Sequence, residues 1–539
     1  MSKKNVKQKN KKRRIKISNI AFLIAILISF INIIIGGMLS IRLYALNILP
    51  TLLLIPVICI IVILSILLFL LLAFIAKKAF SKFLISLLVI VFTIVYGTLN
   101  YGVSSINQIF KQVTTLNTQM INTISLISTA DSDISDIKDL NKLKVGISSS
   151  LDSQGTNKCL NELTKEASFS TEDFDNIFEM TDALYNGSVD AIIFNESYRG
   201  ILYDTALEYE DDQLFAFNTN TKIIYQTVYY TKKTTDGSLS LKSVDVTKEP
   251  FTVLISGNDS YGGLNECSRS DANLLVTINP KEKTILMTSI PRDYYIPVYN
   301  SADNLDYGMD KLTHTGLYGI DVTEESIEQF LGVTINYHVR LNFSSLVNVV
   351  DALGGIDVYV EEGNEVDIFY ANGLEGVSAG WNHLDGERAL GFSRERKAYQ
   401  DGDVQRVKNQ QQVLQAIIKK ATSLETFIHL DELIVAIGGA FETNMPSKDM
   451  EDFIRFEISQ FPDWKFESYS LVGVPDIQYC SSLMSVASVV LPNFDAIKVA
   501  HNKVESVING TSSNDVIDDI DETNYGLLTS NYYDDIENG

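Results

Sequence analysis

The first hundred residues contain three long apolar runs, at residues 17–41, 49–76 and 83–101. Each run reaches the about 20 residues that an α-helix needs to cross the hydrocarbon core of a bilayer. The first run is too long for a secretory signal peptide and has no small-residue cleavage site after it, so we expect it to stay in the membrane. The sequence therefore predicts three transmembrane helices within residues 17–102.

Positive charge around these runs predicts their orientation. Residues 1–82 contain 13 Lys and Arg and no Asp or Glu, and the first acidic residue is Asp131. Most of the basic residues lie in the arm at 1–16 and in the loop between the second and third runs, whereas the first loop contains only Arg42. Because cytoplasmic loops are enriched in Lys and Arg, we expect a cytoplasmic N-terminus and an extracellular remainder.

The rest of the chain is strongly acidic. Its 31 Lys and Arg stand against 67 Asp and Glu, a net charge of −36. Such a surface repels nucleic acid, so an anion can bind only in a local basic pocket. The four cysteines form no CxxC pair, which argues against a zinc site or a disulfide scaffold.

Composition divides this acidic part into four segments. They are a Ser/Thr/Asn/Gln-rich stalk or connecting helix at 103–130, an accessory domain at 131–245, a larger domain at 246–510 and an acidic, disordered tail at 511–539. In the accessory domain, strands are predicted at 143–148 and 190–195, with a helical segment at 171–183 between them. The pattern faintly resembles half of a solute-binding protein. It shows no cluster of ligand residues, so a structural or partner-binding role is the better interpretation.

The larger domain alternates strands and helices, which predicts an α/β fold. Strands at 274–278 and 284–290 are joined by a tight connection and read as a hairpin. A regular hairpin places Asp271 opposite Arg292 at one edge of the sheet, with Arg269 on the same face. Asp259, just after the strand at 251–256, could reach the same edge.

Residues 387–412 contain six Lys and Arg within the acidic part. Leu390, Phe392, Arg394 and Arg396 alternate, so on a strand they share one face. After the turn at 398–403 the period becomes helical, and a helix is predicted to about residue 421. One stripe of that helix is polar at first and then apolar, and consists of Asp403, Arg406, Gln410, Val413, Leu414 and Ile417.

Carboxylates and arginines that meet at one edge of a sheet suggest phosphate chemistry. Arg binds phosphate oxygens in a bidentate fork, and Mg²⁺ is typically held by one or two carboxylates together with substrate phosphates. The alternative is a solvated charged surface, since runs of charge are usually exposed. No Walker A, GxSxG or HExxH motif is present. Direct attack of an acceptor hydroxyl on a pyrophosphate is then the simplest scheme.

Several dense motifs resemble one known family. The segments SIPRDYYIPV, DKLTHTGLYG and HLDGERALGFSRERKAYQDGDVQRVKNQQQV, within about residues 250–425, resemble the LytR-CpsA-Psr family. The three apolar runs and the accessory domain resemble its streptococcal capsule-associated members in particular. The resemblance implies an α/β/α sandwich with a mixed central sheet and an apolar tunnel for a lipid. It also implies Mg²⁺-dependent transfer of a glycopolymer from a polyprenyl-pyrophosphate carrier to peptidoglycan.

The resemblance also implies roles for individual residues. Asp259 and Asp271 would hold Mg²⁺, and Asp293 and Asp403 would orient the arginines. The pyrophosphate would be bound by Arg269, Arg292, Arg394, Arg396, Arg406 and Gln410, with Lys311 as a weaker candidate. Within this set, the reacting centre would be formed by Asp259, Arg292, Asp293, Arg394 and Arg396.

Two alternatives to the transferase stay open, and a third is set aside. The same site with water as acceptor would make a pyrophosphatase, and a site without turnover would make a lipid-glycan receptor of the wall machinery. A transcription regulator is set aside because of the predicted topology and the net charge. Expected partners are the lipid-linked glycopolymer, peptidoglycan, the membrane and wall-synthesis proteins at the accessory domain, in the cell membrane of a Gram-positive bacterium.

Overall fold

The computed structural model gives the conformation of most of the chain. The described residues are 3–114, 119–232, 242–258, 264–300, 305–400, 402–423, 426, 433 and 441–528. They belong to two compact units. The first comprises 1–113, 421–438 and 446–462, and the second comprises 114–420, 439–445 and 463–539.

The first unit is built on three long apolar helices, as the sequence predicts. They are α1 (Lys3–Leu46), α2 (Thr51–Leu70), which a π-helical turn at Leu71–Ile75 continues, and α3 (Ala79–Thr114). Their apolar segments of 25, 25 and 28 residues are long enough to cross a membrane. A further helix, Ser447–Gln460, packs Ile454 and Ile458 against the buried cluster of these helices. Apolar faces of this extent favour a membrane-anchored protein.

The accessory domain, in the second unit, is a five-stranded sheet flanked by helices. Its strands are β1 (Gln119–Thr129), β2 (Lys144–Ile147), β3 (Ser170–Asp173), β4 (Ala191–Asn195) and β5 (Thr221–Lys232), in the order β3-β2-β4-β1-β5. Its helices are α4 (Ser153–Leu163), α5 (Ile177–Tyr185), α6 (Arg199–Tyr209), α7 (Asp212–Phe215) and α8 (Phe217–Asn220).

The prediction of a stalk at 103–130 is wrong in its second half. Residues 119–129 form β1, which pairs with both β4 and β5. The uncharged polar side chains that suggested a stalk are buried and hydrogen-bonded: Asn122 donates to Thr231 Oγ1 at 2.9 Å, and Ser128 Oγ donates to the carbonyl of Asp190 at 2.9 Å. A buried strand tolerates polar side chains that find such partners. The accessory domain therefore begins at Gln119.

The helix predicted at 171–183 is also partly wrong. Residues 170–173 form β3, which pairs in parallel with β2. The helix α5 begins only at Ile177, because the side chain of Asn176 caps it by accepting hydrogen bonds from the backbone N–H groups of Phe178 and Glu179.

The larger domain contains more strands than the accessory domain. Its strands are β6 (Phe251–Gly257), β7 (Ala272–Asn279), β8 (Thr284–Ile290), β9 (Tyr295–Asn300), β10 (Leu305–Lys311), β11 (Tyr337–Leu341), β12 (Ile356–Val360), β13 (Val366–Ile368), β14 (Glu375–Val377), β15 (Gly380–Leu384), β16 (Phe441–Thr443), β17 (Lys465–Ser470), β18 (Gly473–Cys480) and β19 (Ser485–Pro492). Its helices are α9 (Ile320–Leu331), α10 (Phe343–Ala352), α11 (Gly386–Arg394), α12 (Gly402–Ala421) and α13 (Phe494–Ile508).

Six of these strands form the central sheet, in the order β16-β11-β6-β7-β8-β17. The pairs β6–β11 and β8–β17 are parallel and the other three are antiparallel, so the sheet is mixed, as predicted. In the hairpin, Asn273 faces Ile290. This register confirms the predicted pairing and brings Asp271 and Arg292 to one edge of the sheet.

Helices cover both faces of the sheet. On one face, α9 and α13 contribute Phe330 and Val504 to a buried cluster with Leu286 of β8. Ser289 lies three positions from Leu286 on the same strand and so points to the other face. There the side-chain amide of Gln411 on α12 donates to Ser289 Oγ at 2.8 Å. The result is the α/β/α sandwich that the resemblance implied.

The strand predicted for residues 390–396 is wrong, because α11 covers them up to Arg394. The side chain of Asp385 caps this helix by accepting a hydrogen bond from the backbone N–H of Arg388 at 2.9 Å. Leu390 and Phe392 are both buried in this helix. A short alternation of apolar residues fits a strand and a buried helix equally well, and here the cap decides. The helix predicted after the turn is confirmed as α12.

The prediction of a disordered tail at 511–539 is wrong for residues 511–528. Glu467 on β17 accepts hydrogen bonds from Ser512 Oγ at 2.6 Å, from the backbone N–H of Ser513 at 2.7 Å and from Ser513 Oγ at 2.5 Å. Leu528 is buried in the cluster beneath α13. An acidic composition therefore does not prevent this segment from packing. Residues 529–539 lie outside the described residues.

We expect Glu467→Ala to lower the free energy of unfolding by about 2 kcal/mol, because it leaves a buried N–H and two hydroxyl groups without their acceptor. Thermal unfolding of the purified protein in detergent measures the change. The control is Asp519→Ala, which removes an exposed carboxylate from the same tail and should have no effect. Equal transition temperatures for all three proteins would contradict the packing described for the tail.

Candidate active site

A cavity of about 810 Å³ lies inside the second unit, at the edge of the central sheet where β6 and β11 end and β7 begins. Gly257, Leu341 and Ala272 mark these three strand ends in its wall. Residues from the larger domain and from the accessory domain both line the cavity. Most of the predicted site residues meet in this cavity.

Asp271 holds two arginines at one end of this cavity. Its Oδ1 accepts hydrogen bonds from Arg292 at 3.0 Å and from Thr313 Oγ1 at 2.7 Å, and its Oδ2 lies 3.3 Å from Arg269. Burial favours a raised pKa for Asp271, but the charges of Arg269 and Arg292 outweigh it and hold the pKa below its ordinary value. Asp271 is therefore ionised at neutral pH.

Asp293 and Lys311 form a neighbouring ion pair. Asp293 lies 3.4 Å from Lys311 Nζ and 3.6 Å from Arg292 Nε. Burial favours a raised pKa for Asp293, but the charges of Arg292, Lys311 and Arg406 lower it to about 2. Neither Asp293 nor Lys311 lines the cavity, so Lys311 contacts a site carboxylate rather than the cavity itself.

The end of α11 and the start of α12 supply further basic residues. Arg394, Arg396 and Arg406 line the cavity together with Gln410. The guanidinium group of Arg394 stacks over the ring of Phe343, 4.1 Å from its centroid. We call Arg269, Arg292, Arg394, Arg396 and Arg406 the arginine cluster. Asp259 and the side chain of Asp403 lie outside the described part of the chain.

An apolar wall extends from the arginine cluster along α12. Val413, Leu414 and Ile417 line the cavity one and two turns after Gln410. The predicted helical stripe is therefore present, with its polar end at the arginines and its apolar end farther along the cavity. Further apolar lining comes from Ile255, Leu274, Leu341, Phe343, Leu346 and Leu390. The cavity thus offers an anion site and an apolar surface side by side.

Sequence reasoning missed four acidic residues that line the cavity, Glu196, Asp204, Glu266 and Glu395. The buried carboxylate of Glu395 accepts hydrogen bonds from the backbone N–H groups of Tyr370 at 2.6 Å and Arg396 at 3.0 Å, and so fixes the segment between α11 and α12. Asp204 on α6 of the accessory domain binds Arg269 at 2.8 Å and Arg292 at 3.0 Å. Glu395 lies between two predicted arginines and was within reach of prediction. Asp204 was not, because nothing near it in sequence marks it.

The chemistry of Asp271 fits a hard cation. It is an ionised carboxylate that faces the cavity beside the arginine cluster, and Mg²⁺ prefers such oxygen ligands. Two other clusters contain side chains of the types that bind metal ions. One consists of Asp310, His314 and Cys480, and the other of Asp321, Glu324 and His338. None of these six residues lines the cavity. His314 is hydrogen-bonded to Asp310 at 2.6 Å, which fits a structural network.

The fold and the cavity define a membrane-anchored α/β protein with a concentrated cationic site beside an apolar wall. Two family profiles match the chain. The profile of the LytR_cpsA_psr family matches residues 214–471, and a profile described as NMT1/THI5 like matches residues 97–236.

Two curated relatives carry the name polyisoprenyl-teichoic acid–peptidoglycan teichoic acid transferase. TagT of Bacillus subtilis (strain 168) is 34% identical over 261 residues, which are 47% of this chain and 71% of TagT. TagU of Bacillus mycoides (strain KBAB4) is 35% identical over 205 residues, which are 38% of this chain and 63% of TagU. The chain belongs to the LytR-CpsA-Psr family.

A solved structure of TagT from Bacillus subtilis contains bound octaprenyl pyrophosphate lipid. It matches 50% of this chain and 94% of that chain, at 29% identity and a TM-score of 0.38. The family assignment rests on the sequence matches.

We expect Asp293→Asn to reduce the free energy of unfolding by about 2 kcal/mol at neutral pH, because Arg292 and Lys311 lose a counter-charge. Since the pKa of Asp293 falls from 3.8 to about 2, its contribution is present above pH 3.8 and is lost as the pH falls through about 2. Thermal unfolding of wild type and variant at about pH 7, 4 and 2.5 tests this linkage. A difference between the two proteins that stays constant down to the lowest pH would contradict it.

Proposed function

We propose that this protein transfers a glycopolymer, together with its phosphate, from a polyprenyl-pyrophosphate carrier to peptidoglycan in the cell wall. The observation that carries the proposal is the cavity, in which the arginine cluster meets the apolar wall of α12. A pyrophosphate fits the first and a polyprenyl chain fits the second. The names of TagT and TagU describe a reaction of this kind, and TagT binds octaprenyl pyrophosphate lipid.

In the proposed reaction an acceptor hydroxyl of peptidoglycan attacks the phosphorus that bears the glycan. A new P–O bond forms, the P–O bond to the bridging oxygen breaks, and polyprenyl phosphate leaves with the electron pair. The product is a phosphodiester between glycan and peptidoglycan, and the proton of the hydroxyl is released. Charge on the phosphate oxygens and on the leaving group is stabilised by the arginine cluster, held in position by Asp271, Asp293 and Glu395.

We further propose that Asp271 and Asp259 hold Mg²⁺, as the family resemblance implies. When bound, this cation would neutralise phosphate charge and favour departure of polyprenyl phosphate. Asp271 fits this role by its ionised carboxylate, which faces the cavity.

For its location we propose a multi-pass protein of the cell membrane in a Gram-positive bacterium. The basic arm and the Lys-rich second loop support a cytoplasmic N-terminus, which leaves the cavity on the outer side. There the lipid carrier and peptidoglycan are both accessible. The accessory domain remains a candidate contact surface for other wall-synthesis proteins.

The test combines the purified full-length protein, Mg²⁺, a synthetic polyprenyl-pyrophosphate oligosaccharide and uncrosslinked peptidoglycan, with products read by mass spectrometry. We expect a glycan-phosphate adduct on peptidoglycan, which EDTA abolishes. Arg406→Ala should reduce its rate at least about 100-fold, because a charge-stabilising donor is lost. Lys408→Ala is the matched control on the same helix, since Lys408 is exposed and does not line the cavity.

The products separate this function from its alternatives. Release of glycan phosphate without an adduct would contradict the transferase and favour a hydrolase. Tight binding of the lipid without any turnover would favour a receptor. An unaltered rate in Arg406→Ala would contradict the assignment of the site even if transfer itself were observed.

A second prediction concerns the apolar wall. We expect Leu414→Asp to weaken binding of geranylgeranyl pyrophosphate about tenfold, because the wall loses apolar surface and gains a charge. Binding of inorganic pyrophosphate should change far less. Gln415→Asp adds the same charge one residue farther along the helix, outside the cavity lining, and is the control. Isothermal titration calorimetry measures the affinity for both ligands. If Leu414→Asp lost as much affinity for inorganic pyrophosphate as for geranylgeranyl pyrophosphate, an apolar lipid site on this helix would be contradicted.

A further inference from the structure

The accessory domain contributes one wall of the cavity through helix α6. Arg199, Tyr203, Asp204 and Leu207 recur at helical spacing, and all four line the cavity. They therefore form one face of α6 that points at the site. The family profile begins only at residue 214, so this wall comes from the part of the chain that the NMT1/THI5-like profile matches.

Asp204 is the residue of this face that reaches the arginine cluster. Its Oδ2 lies 2.8 Å from Arg269 Nη1 and 3.0 Å from Arg292 Nη2, so one oxygen bridges two guanidinium groups. Both arginines also bind Asp271 on the other side. The side chain of Arg269 is only 5% exposed, which leaves it strongly dependent on these two carboxylates.

This arrangement changes the charge that a ligand meets. Two carboxylates and two guanidinium groups form a neutral quartet, although the arginines alone would carry two positive charges. Burial favours a raised pKa for Asp204, but the charges of Arg292 and Arg269 outweigh it and lower the pKa, so the carboxylate is ionised at neutral pH. A phosphate that binds Arg269 or Arg292 comes within a few ångströms of this negative charge.

We propose that Asp204 is a specificity-determining residue of the transfer site, through which the accessory domain selects carriers by their charge. The inference rests on the proposed function. A carrier loaded with glycan is a pyrophosphate diester, and an unloaded carrier is a monoester with one more ionisable oxygen. The carboxylate of Asp204 repels the additional negative charge, so it shifts the preference of the site toward the loaded carrier. The accessory domain is then a working part of the site rather than an appended module.

The test measures binding of two probes to the full-length protein in detergent by calorimetry. The monoester probe is geranylgeranyl pyrophosphate, and the diester probe is geranylgeranyl-pyrophosphoryl-N-acetylglucosamine. We expect Asp204→Asn to tighten binding of the monoester more than that of the diester, shifting the ratio of the two dissociation constants by about fivefold. Asp204→Glu keeps the charge and should retain most of the preference.

Two further variants make the experiment decisive. Glu208→Gln removes an exposed charge one turn along α6 and should leave the ratio unchanged. Asp204→Ser also removes the charge, with a smaller side chain, and must shift the ratio in the same direction as Asp204→Asn. With two neutral variants, the test can still be made if one of them fails to fold. Thermal unfolding of each variant monitors folding separately.

The outcomes separate this proposal from the function on which it rests. An unchanged ratio, or weaker binding of both probes, in folded Asp204 variants would overturn the role of Asp204 while the wild type still binds and transfers. A wild-type protein that binds neither probe would overturn the proposed function, and this inference with it. A purely structural role for Asp204 would lower stability without changing the preference between the probes.

Discussion

The pairing of Asp271 with Arg269 and Arg292 is the interaction on which the rest of the site depends. Guanidinium groups cannot be buried without counter-charges, and a buried charge that loses its partner costs several kcal/mol. The hairpin register brings Asp271 beside Arg292, while Thr313 and Asp204 complete the surroundings. Once the quartet of Asp204, Asp271, Arg269 and Arg292 is fixed, both guanidinium groups hold defined positions at the cavity.

The second half of the site follows from the position of α12. Gln411 anchors this helix to the sheet through Ser289 and the carbonyl of Tyr469, so its neighbouring stripe must face the cavity. Arg406 then stands at the polar end, and Ile417 at the apolar end, of one continuous surface. An amphiphile with a pyrophosphate head and a polyprenyl chain matches this surface along its length. In the proposed function, charge stabilisation and lipid binding both depend on one helix and one sheet edge.

Much of this arrangement could be predicted from periodicity and resemblance. The hairpin and the stripe of α12 could be predicted because each depends on local spacing. Together these two patterns placed Arg269, Arg292 and Arg406, three of the five arginines of the cluster, at one site. The strand predicted at 390–396 failed because a short apolar alternation suits two structures, and only the cap at Asp385 distinguishes them. Composition led to wrong predictions for β1 and for the tail. Polar side chains there are buried because they form hydrogen bonds, and the sequence does not reveal the partners of these bonds.

Asp204 marks the limit of such reasoning. It reaches the arginines only because the accessory domain packs against the larger domain, and this tertiary contact has no signal in spacing or motif. The accessory domain therefore contributes a charged side chain to the site, whereas its sequence alone indicates only a structural or partner-binding module.

A structure of the protein with bound geranylgeranyl pyrophosphate would show whether one cavity binds both parts of the lipid carrier. We expect phosphate density within hydrogen-bonding distance of Arg394, Arg396 and Arg406. We also expect the prenyl chain to lie along Val413 and Ile417. Phosphates bound away from the arginine cluster, or a chain that leaves the cavity on another side, would contradict binding of both parts in this cavity.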